Sequence, residues 1–142
     1  MRRLQDALRR KSNARLIEVV PEEALSRVLD NLPFEFSYVD KHDKVTLFNK
    51  NGDRIFPRPP GVIGKRVQDC HPSKSIHKVQ QILDEMKAGI RDSAEFWIKL
   101  NDRKIYIRYF AVKGEGEYMG CLEVSQDITD IQNIKGEKRL LT

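Results

Sequence analysis

The sequence predicts an α+β fold: a five-stranded antiparallel sheet with helices packed on one face. Three observations carry that expectation. Residues 94–126 hold three consecutive strand-like runs, residues 34–49 hold two more, and an amphipathic helix lies between the groups. The runs within each group are joined by short turns. Parallel neighbours would need crossovers of about a dozen residues or more, so short turns mean antiparallel pairing. A sheet with one apolar face must then be covered, and the helical middle is the available cover.

Taken in order, residues 1–20 form a basic helix or linker. They hold six bases (Arg2, Arg3, Arg9, Arg10, Lys11, Arg15) against two acids (Asp6, Glu18), whereas residues 21–142 hold 20 against 19. The net charge of +5 therefore belongs mostly to the tail. A nucleic-acid module would spread bases over a folded face, so nucleic acid is not the expected partner. Pro21 and the acids Glu22 and Glu23 open a helix, because proline and negative charge suit the unpaired N–H groups of a first turn. Leu25, Val28 and Leu29 form its stripe, and Asn31-Leu32-Pro33 stops it.

Phe34–Asp40 alternates with the period of a strand, 41–44 turn the chain, and Val45–Asn49 returns it. Residues 50–64 are irregular, broken by Gly52, Pro57, Pro59, Pro60, Gly61 and Gly64. Pro72-Ser73 opens the strongest helix, over 73–88, with Ser73 as cap, Ile76, Val79, Leu83 and Met86 as the buried stripe, and Gly89 as terminator. The last three strands are 94–100, 105–112 and 118–126, separated by Asn101-Asp102-Arg103 and by 113–117. The main domain thus spans 21–130, and 131–142 are a C-terminal extension.

No apolar run approaches the roughly 18 residues of a membrane span, and Met1–Asp6 has no apolar signal segment. The expected compartment is the cytoplasm, with no membrane partner. Two cysteines, Cys70 and Cys121, are too few for a disulfide scaffold.

The element order, closed by Asp127-Ile128-Thr129, resembles a PAS domain, the small sensory fold of signalling proteins, over roughly residues 22–135. In that family such a triplet ends the last strand, its Asp tying the strand end to nearby backbone, and hands over to an output helix. The resemblance makes Asp127, Ile128 and Thr129 the signal output, carried on through 130–141, although Gly136 interrupts a continuous helix there. The blocks 62–75, 94–98, 105–110 and 136–141 are similar to one PAS subgroup, which follows a hemerythrin-like domain in bacterial and archaeal proteins. This chain, with three histidines, has no such iron domain of its own, so a hemerythrin-like domain or protein is one implied partner. A homodimer is the expected assembly.

Four residues are candidates for a ligand pocket: Cys70, His71, His77 and Arg108. Cys and His bind soft or borderline metals and haem iron, but no Cys-x-x-Cys or His-x-x-x-His spacing appears, and no metal site is expected. The preferred reading is that Cys70 is a small buried residue, His71 a hydrogen-bonding residue before the helix, and His77 partly exposed. Pocket lining is the second reading and haem or metal ligation the third. Arg108 inside would need an acidic partner or an anionic ligand; outside, the preferred placement, it forms a cross-strand ion pair with Glu95 or Glu123. Trp97 and Tyr106 form a candidate dimer or docking patch. No nucleophile elbow, phosphate loop or paired-carboxylate signature appears, so no catalysis is expected. The expected role is a sensory module binding a small molecule or partner. The alternatives are a ligand-free dimerisation domain and a basic-tailed regulator associated with nucleic acid.

Overall fold

The computed structural model describes residues 19–50 and 53–142. The basic tail, apart from Val19 and Val20, lies outside the described residues. The chain divides into two units, Met1–Leu32 and Pro33–Thr142.

In the first unit, α1 runs Glu22–Asp30, with Glu22 and Glu23 in its first turn. The Pro21 carbonyl accepts its first bond, from Leu25 N at 3.0 Å. Asn31 stops it, returning both its backbone N–H (3.0 Å) and its Nδ2 (2.8 Å) to the Arg27 carbonyl.

The second unit is a five-stranded antiparallel sheet. Its strands are β1 (Glu35–Asp40), β2 (Val45–Phe48), β3 (Ser93–Leu100), β4 (Arg103–Gly114) and β5 (Glu117–Asp127), in the order β2-β1-β5-β4-β3. The first and last strands pair at the centre, so β5 is flanked on both sides. β3 and β4 turn through Asn101 and Asp102 at φ 50° and 61°, and β4 and β5 through Glu115 and Gly116 at 53° and 82°. Two successive positive φ values make the turn whose twist matches paired strands, and Asn, Asp and Gly are the residues that tolerate it.

One rung crosses the whole sheet: Phe48, Ser37, Glu123, Tyr109 and Ala94 stand side by side on one face. That face also carries Val39, Ile105, Ile107 and Cys121, all buried. Over it lies α2, Ile76–Lys87, which contributes Leu83 and Met86 to the core, with Val79 and Ile82 half-buried beside them. Helix α2 ends as expected at Gly89 (φ 74°): Gly89 N–H bonds the Met86 carbonyl at 3.2 Å and Ile90 N–H the Glu85 carbonyl at 2.9 Å. Its start differs from expectation. Ser73 caps nothing, because residues 72–75 form a separate turn in which Ser75 N–H and Oγ both bond the Pro72 carbonyl, so the helix begins at Ile76.

Among the described residues after β5, Ile131–Asn133 form one short 3₁₀ turn, and 134–142 form no α-helix. Among the described residues, no helix is long and apolar enough to cross a membrane.

Candidate functional site

The irregular segment between β2 and α2 brings two arginines onto the inner face. Asn49, 2% exposed, fixes its start: Oδ1 accepts Phe36 N–H at 2.8 Å and Nδ2 donates to the Phe34 carbonyl at 3.1 Å. Arg54 then turns inward to Glu35, at 3.3 Å, with side chains 4% and 3% exposed. A buried pair is tolerated only when its remaining donors and acceptors are met. Here they are. Arg54 donates to the carbonyls of Phe56 (3.0 Å), Asn49 (2.6 Å) and Phe36 (3.3 Å) and to Ser37 Oγ (3.3 Å). Glu35 accepts the backbone N–H groups of Ile55 and Phe56. The cluster pins the irregular segment to β1.

Four residues on, Arg58 faces Glu123 of β5 at 3.7 Å, side chains 10% and 13% exposed, and donates Nε to Ser37 Oγ at 3.4 Å. Burial raises the Glu123 pKa, opposed by Arg58 and Arg54. His71 lies nearby. Burial and then the charge of Arg58 lower its pKa, which keeps it neutral at pH 7, and its buried Nε2 has no hydrogen-bond partner among the described residues. Tyr109, beside Glu123 in the rung, is held as the phenol, its pKa raised by burial and then by Glu123.

These groups line a groove of about 810 Å³ between α2 and the sheet, within the range of roughly 300–1,000 Å³ usual for small-molecule sites. Its walls are largely apolar: Phe56, Val79, Ile82, Phe96, Ile98 and Ile107. Phe96 and Ile98 remain 42% and 37% exposed, although they lie on the sheet's inner face. α2 does not reach over β3, and that shortfall leaves the groove open.

Cys70 and His71 line the groove; His77 is exposed and does not. Arg108 is corrected from the pocket set. Ile105, Ile107 and Tyr109 are 2%, 2% and 8% exposed on the inner face, which forces Arg108 to the outer one. There its guanidinium lies 4.9 Å from the Tyr106 ring centre and 5.7 Å from that of Phe110. Glu95 stands opposite Arg108 in the register but is hydrogen-bonded by the Tyr106 hydroxyl. Both cysteines are free thiols, and no group of three or more His, Cys, Asp or Glu among the described residues is arranged to hold a metal ion.

Glu35, Arg54 and Arg58 were not expected at the site, and Glu123 was expected only as a partner of Arg108, from which the register separates it onto the opposite face. A signal existed for the last: in Tyr118–Gln126, Glu123 shares the parity of Cys121, an acid where an apolar residue is expected on an inward face. Nothing in the Pro-rich segment announces its two arginines as inward-pointing.

At the far end of β5, Asp127 Oδ1 accepts Thr129 N–H (3.0 Å) and Thr129 Oγ (2.6 Å), while Oδ2 meets Arg103 Nε at 2.7 Å. Thr129 Oγ in turn accepts Lys104 N–H at 2.8 Å, and Ile128 N–H bonds the Lys104 carbonyl at 2.9 Å. Arg103 and then Thr129 hold the Asp127 carboxyl down at about 2. The triplet is therefore a latch between the end of β5 and the start of β4. On the outer face, Trp97 is 61% exposed and meets the Tyr106 ring edge-on at 6.4 Å.

The comparisons with known proteins agree with this architecture. The C-terminal domain of a Streptococcus mutans protein is 29% identical, with a TM-score of 0.75, over 82% of this chain and 91% of that one. The PAS domain of Bordetella pertussis BvgS superposes with a TM-score of 0.57 at 19% identity, over 76% of this chain and 86% of that one. A sensory box sensor histidine kinase from Vibrio cholerae gives 0.54 at 19%, over 84% and 98%. No functionally curated protein matches. The sequence model of the PAS domain matches residues 25–129, from α1 through the Asp127 latch, and by that match the chain belongs to the PAS domain family.

Proposed function

We propose that this chain is a non-catalytic sensory module of signal transduction, in which a small molecule held between α2 and the sheet biases the end of β5. The observation that carries the reading is the groove of about 810 Å³, in which Arg58, His71 and Glu123 converge within a mostly apolar lining. A large apolar pocket with a few converging polar groups is the usual form of a small-molecule site. Glu123 supplies the connection to output, because it belongs to the strand that Asp127 latches four residues later. A ligand that binds one arrangement of β5 better than another shifts the population by that difference in affinity. The two unpaired cysteines fit the cytoplasm as its compartment.

Native mass spectrometry and an absorption spectrum of the anaerobically purified protein test the reading. It expects a bound small molecule that is lost in Ile82→Trp, which fills the groove. A haem spectrum lost in His71→Ala would make the ligand haem. A protein that is always empty and colourless contradicts the reading.

A second reading, homodimerisation through the outer face, is favoured by the exposure of Trp97 beside Tyr106, together with Met119 at 50% and Leu47 at 44%. It expects concentration-dependent association in analytical ultracentrifugation that Trp97→Ala abolishes; association unchanged by that variant counts against it. A hemerythrin-like partner rests on the resemblance of the blocks at 62–75, 94–98, 105–110 and 136–141, and is tested by co-purification with such a protein.

A further inference from the structure

The charge and shape of the groove narrow the class of its occupant. A guanidinium carries five N–H donors in a planar fork. Arg58 is 10% exposed, yet it makes one hydrogen bond, at 3.4 Å to Ser37 Oγ, and its contact with Glu123 at 3.7 Å exceeds hydrogen-bond length. Arg54 by contrast has committed Nε and both terminal nitrogens. No nitrogen of Arg58 is among the buried atoms left without a partner: its free edge opens onto the groove, where a ligand's acceptor oxygens can meet it. The His71 side chain lines the same groove, with its Nε2 buried behind the surface and unpartnered among the described residues.

The surroundings set the sign and the number of charges. Glu35 neutralises Arg54, Glu123 stands against Arg58, and Lys78 adds a positive charge on the groove lining. A cationic ligand would meet Arg58 and Lys78. A phosphate, with about two negative charges, would draw on Lys78 as well as Arg58, but Lys78 is exposed and Arg54 is spent, which leaves one half-buried fork for one charge. A single carboxylate matches one fork bidentately. The remaining wall is apolar along Val79, Ile82, Phe96, Ile98 and Ile107.

We propose that the groove takes an amphipathic monocarboxylic acid, its carboxylate received by Arg58 and its apolar body laid between α2 and Phe96–Ile98. This rests on the sensory reading above and specifies its ligand. The charged and titratable groups around Glu123 are Arg58, Arg54, Glu35, Tyr109, Cys121 and His71. Burial already raises the Glu123 pKa, so this carboxyl can take up a proton from solvent as a second carboxylate arrives, removing the like-charge repulsion.

Isothermal titration of the full chain with octanoic acid, 1-octanol and octylamine tests the proposal. Octanoic acid is expected to bind at least about tenfold more tightly than either analogue, the scale of one charge-assisted hydrogen bond. Arg58→Met should erase that preference, and Ile82→Trp should weaken every probe that enters the groove. Glu123→Gln, which leaves Arg58 in place, should hold or tighten acid binding. Equal or tighter binding of the alcohol or amine, or a preference that survives Arg58→Met, overturns the acid assignment. If Arg58→Met fails to fold by circular dichroism, loss of acid binding in Glu123→Gln overturns it instead. The alcohol or amine binding in a manner lost in Ile82→Trp removes the acid class but leaves the sensory reading standing. No binding by any probe, with an empty protein by native mass spectrometry, removes both.

Discussion

Arg54 and Arg58 lie in the same irregular segment, point to the same sheet face and each meet an inward glutamate, yet they have opposite characters. Arg54 touches three carbonyls, a hydroxyl and Glu35, and its partner accepts two backbone N–H groups. Arg58 has one long hydrogen bond and a carboxylate beyond bonding distance. The first is a strut: every donor is satisfied by the fold itself. The second is an open fork on a cavity. A buried ion pair therefore does not reveal its role by being buried; the role lies in how many of its hydrogen bonds the protein has already made.

The largest expected effect follows from the strut. Arg54→Met leaves Glu35 buried without its cation and should destabilise the fold by about 3–5 kcal/mol, the usual cost of removing one partner of a buried pair. Chemical denaturation measures it, and a loss below about 1 kcal/mol would remove the distinction. Arg58→Met should cost less, about 1–2 kcal/mol by the same measurement, because Arg58 makes one hydrogen bond where Arg54 makes four, and because Glu123, its pKa raised by burial, can take a proton.

Glu123 also gives a pH signature of defined sign. Its folded pKa is raised by burial, so its contribution to stability is fully present below its unfolded value and lost as pH rises through the folded pKa. Glu123→Gln should flatten that decline, read as denaturation midpoints measured upward from about pH 4. An unchanged slope would show that Arg58 offsets the burial of the carboxylate.

The smallest effect belongs to the latch, at the exposed end of β5. Asp127 has the opposite sign: held at about 2 by Arg103 and Thr129, it contributes stability above its unfolded pKa and loses it as pH falls from about 4 to about 2. Asp127→Asn should change global stability little but speed hydrogen exchange at Ile128 and Thr129, whose N–H groups bond the Lys104 carbonyl and Asp127 Oδ1. Unchanged exchange at both amides would mean that the latch does not hold the strand end.

The legibility of this fold in the sequence follows periodicity. Strands β3, β4 and β5 and the stripe of α2 were readable because alternation and the 3.6-residue repeat state which side is apolar. The turns were readable in place, from Asn101-Asp102-Arg103 and from 113–117, but not in length: the strands run on to leave only Asn101-Asp102 and Glu115-Gly116 between them. Helix α2's start was not, since Ser73 looks like a cap and only the turn closed on the Pro72 carbonyl moves the start to Ile76. Cys70 and His71 were singled out for their chemistry, with pocket lining as the second reading, and both line the groove; His77, singled out by residue type, does not. Arg108 illustrates the limit of parity: both faces of β4 carry aromatics, so only the register with β3 and β5 assigns it to the outside. Arg54 and Arg58 come from a segment with no period at all. Their orientation is set by glutamates distant in sequence, on β1 and β5, and local pattern cannot encode that.

The difference between strut and open fork is read most directly from the Nε–H resonances of Arg54 and Arg58, followed by nuclear magnetic resonance through a titration with octanoic acid. The account predicts that the Arg58 resonance shifts and saturates while that of Arg54 stays in place. Movement of Arg54 to the same extent, or of neither, would contradict it.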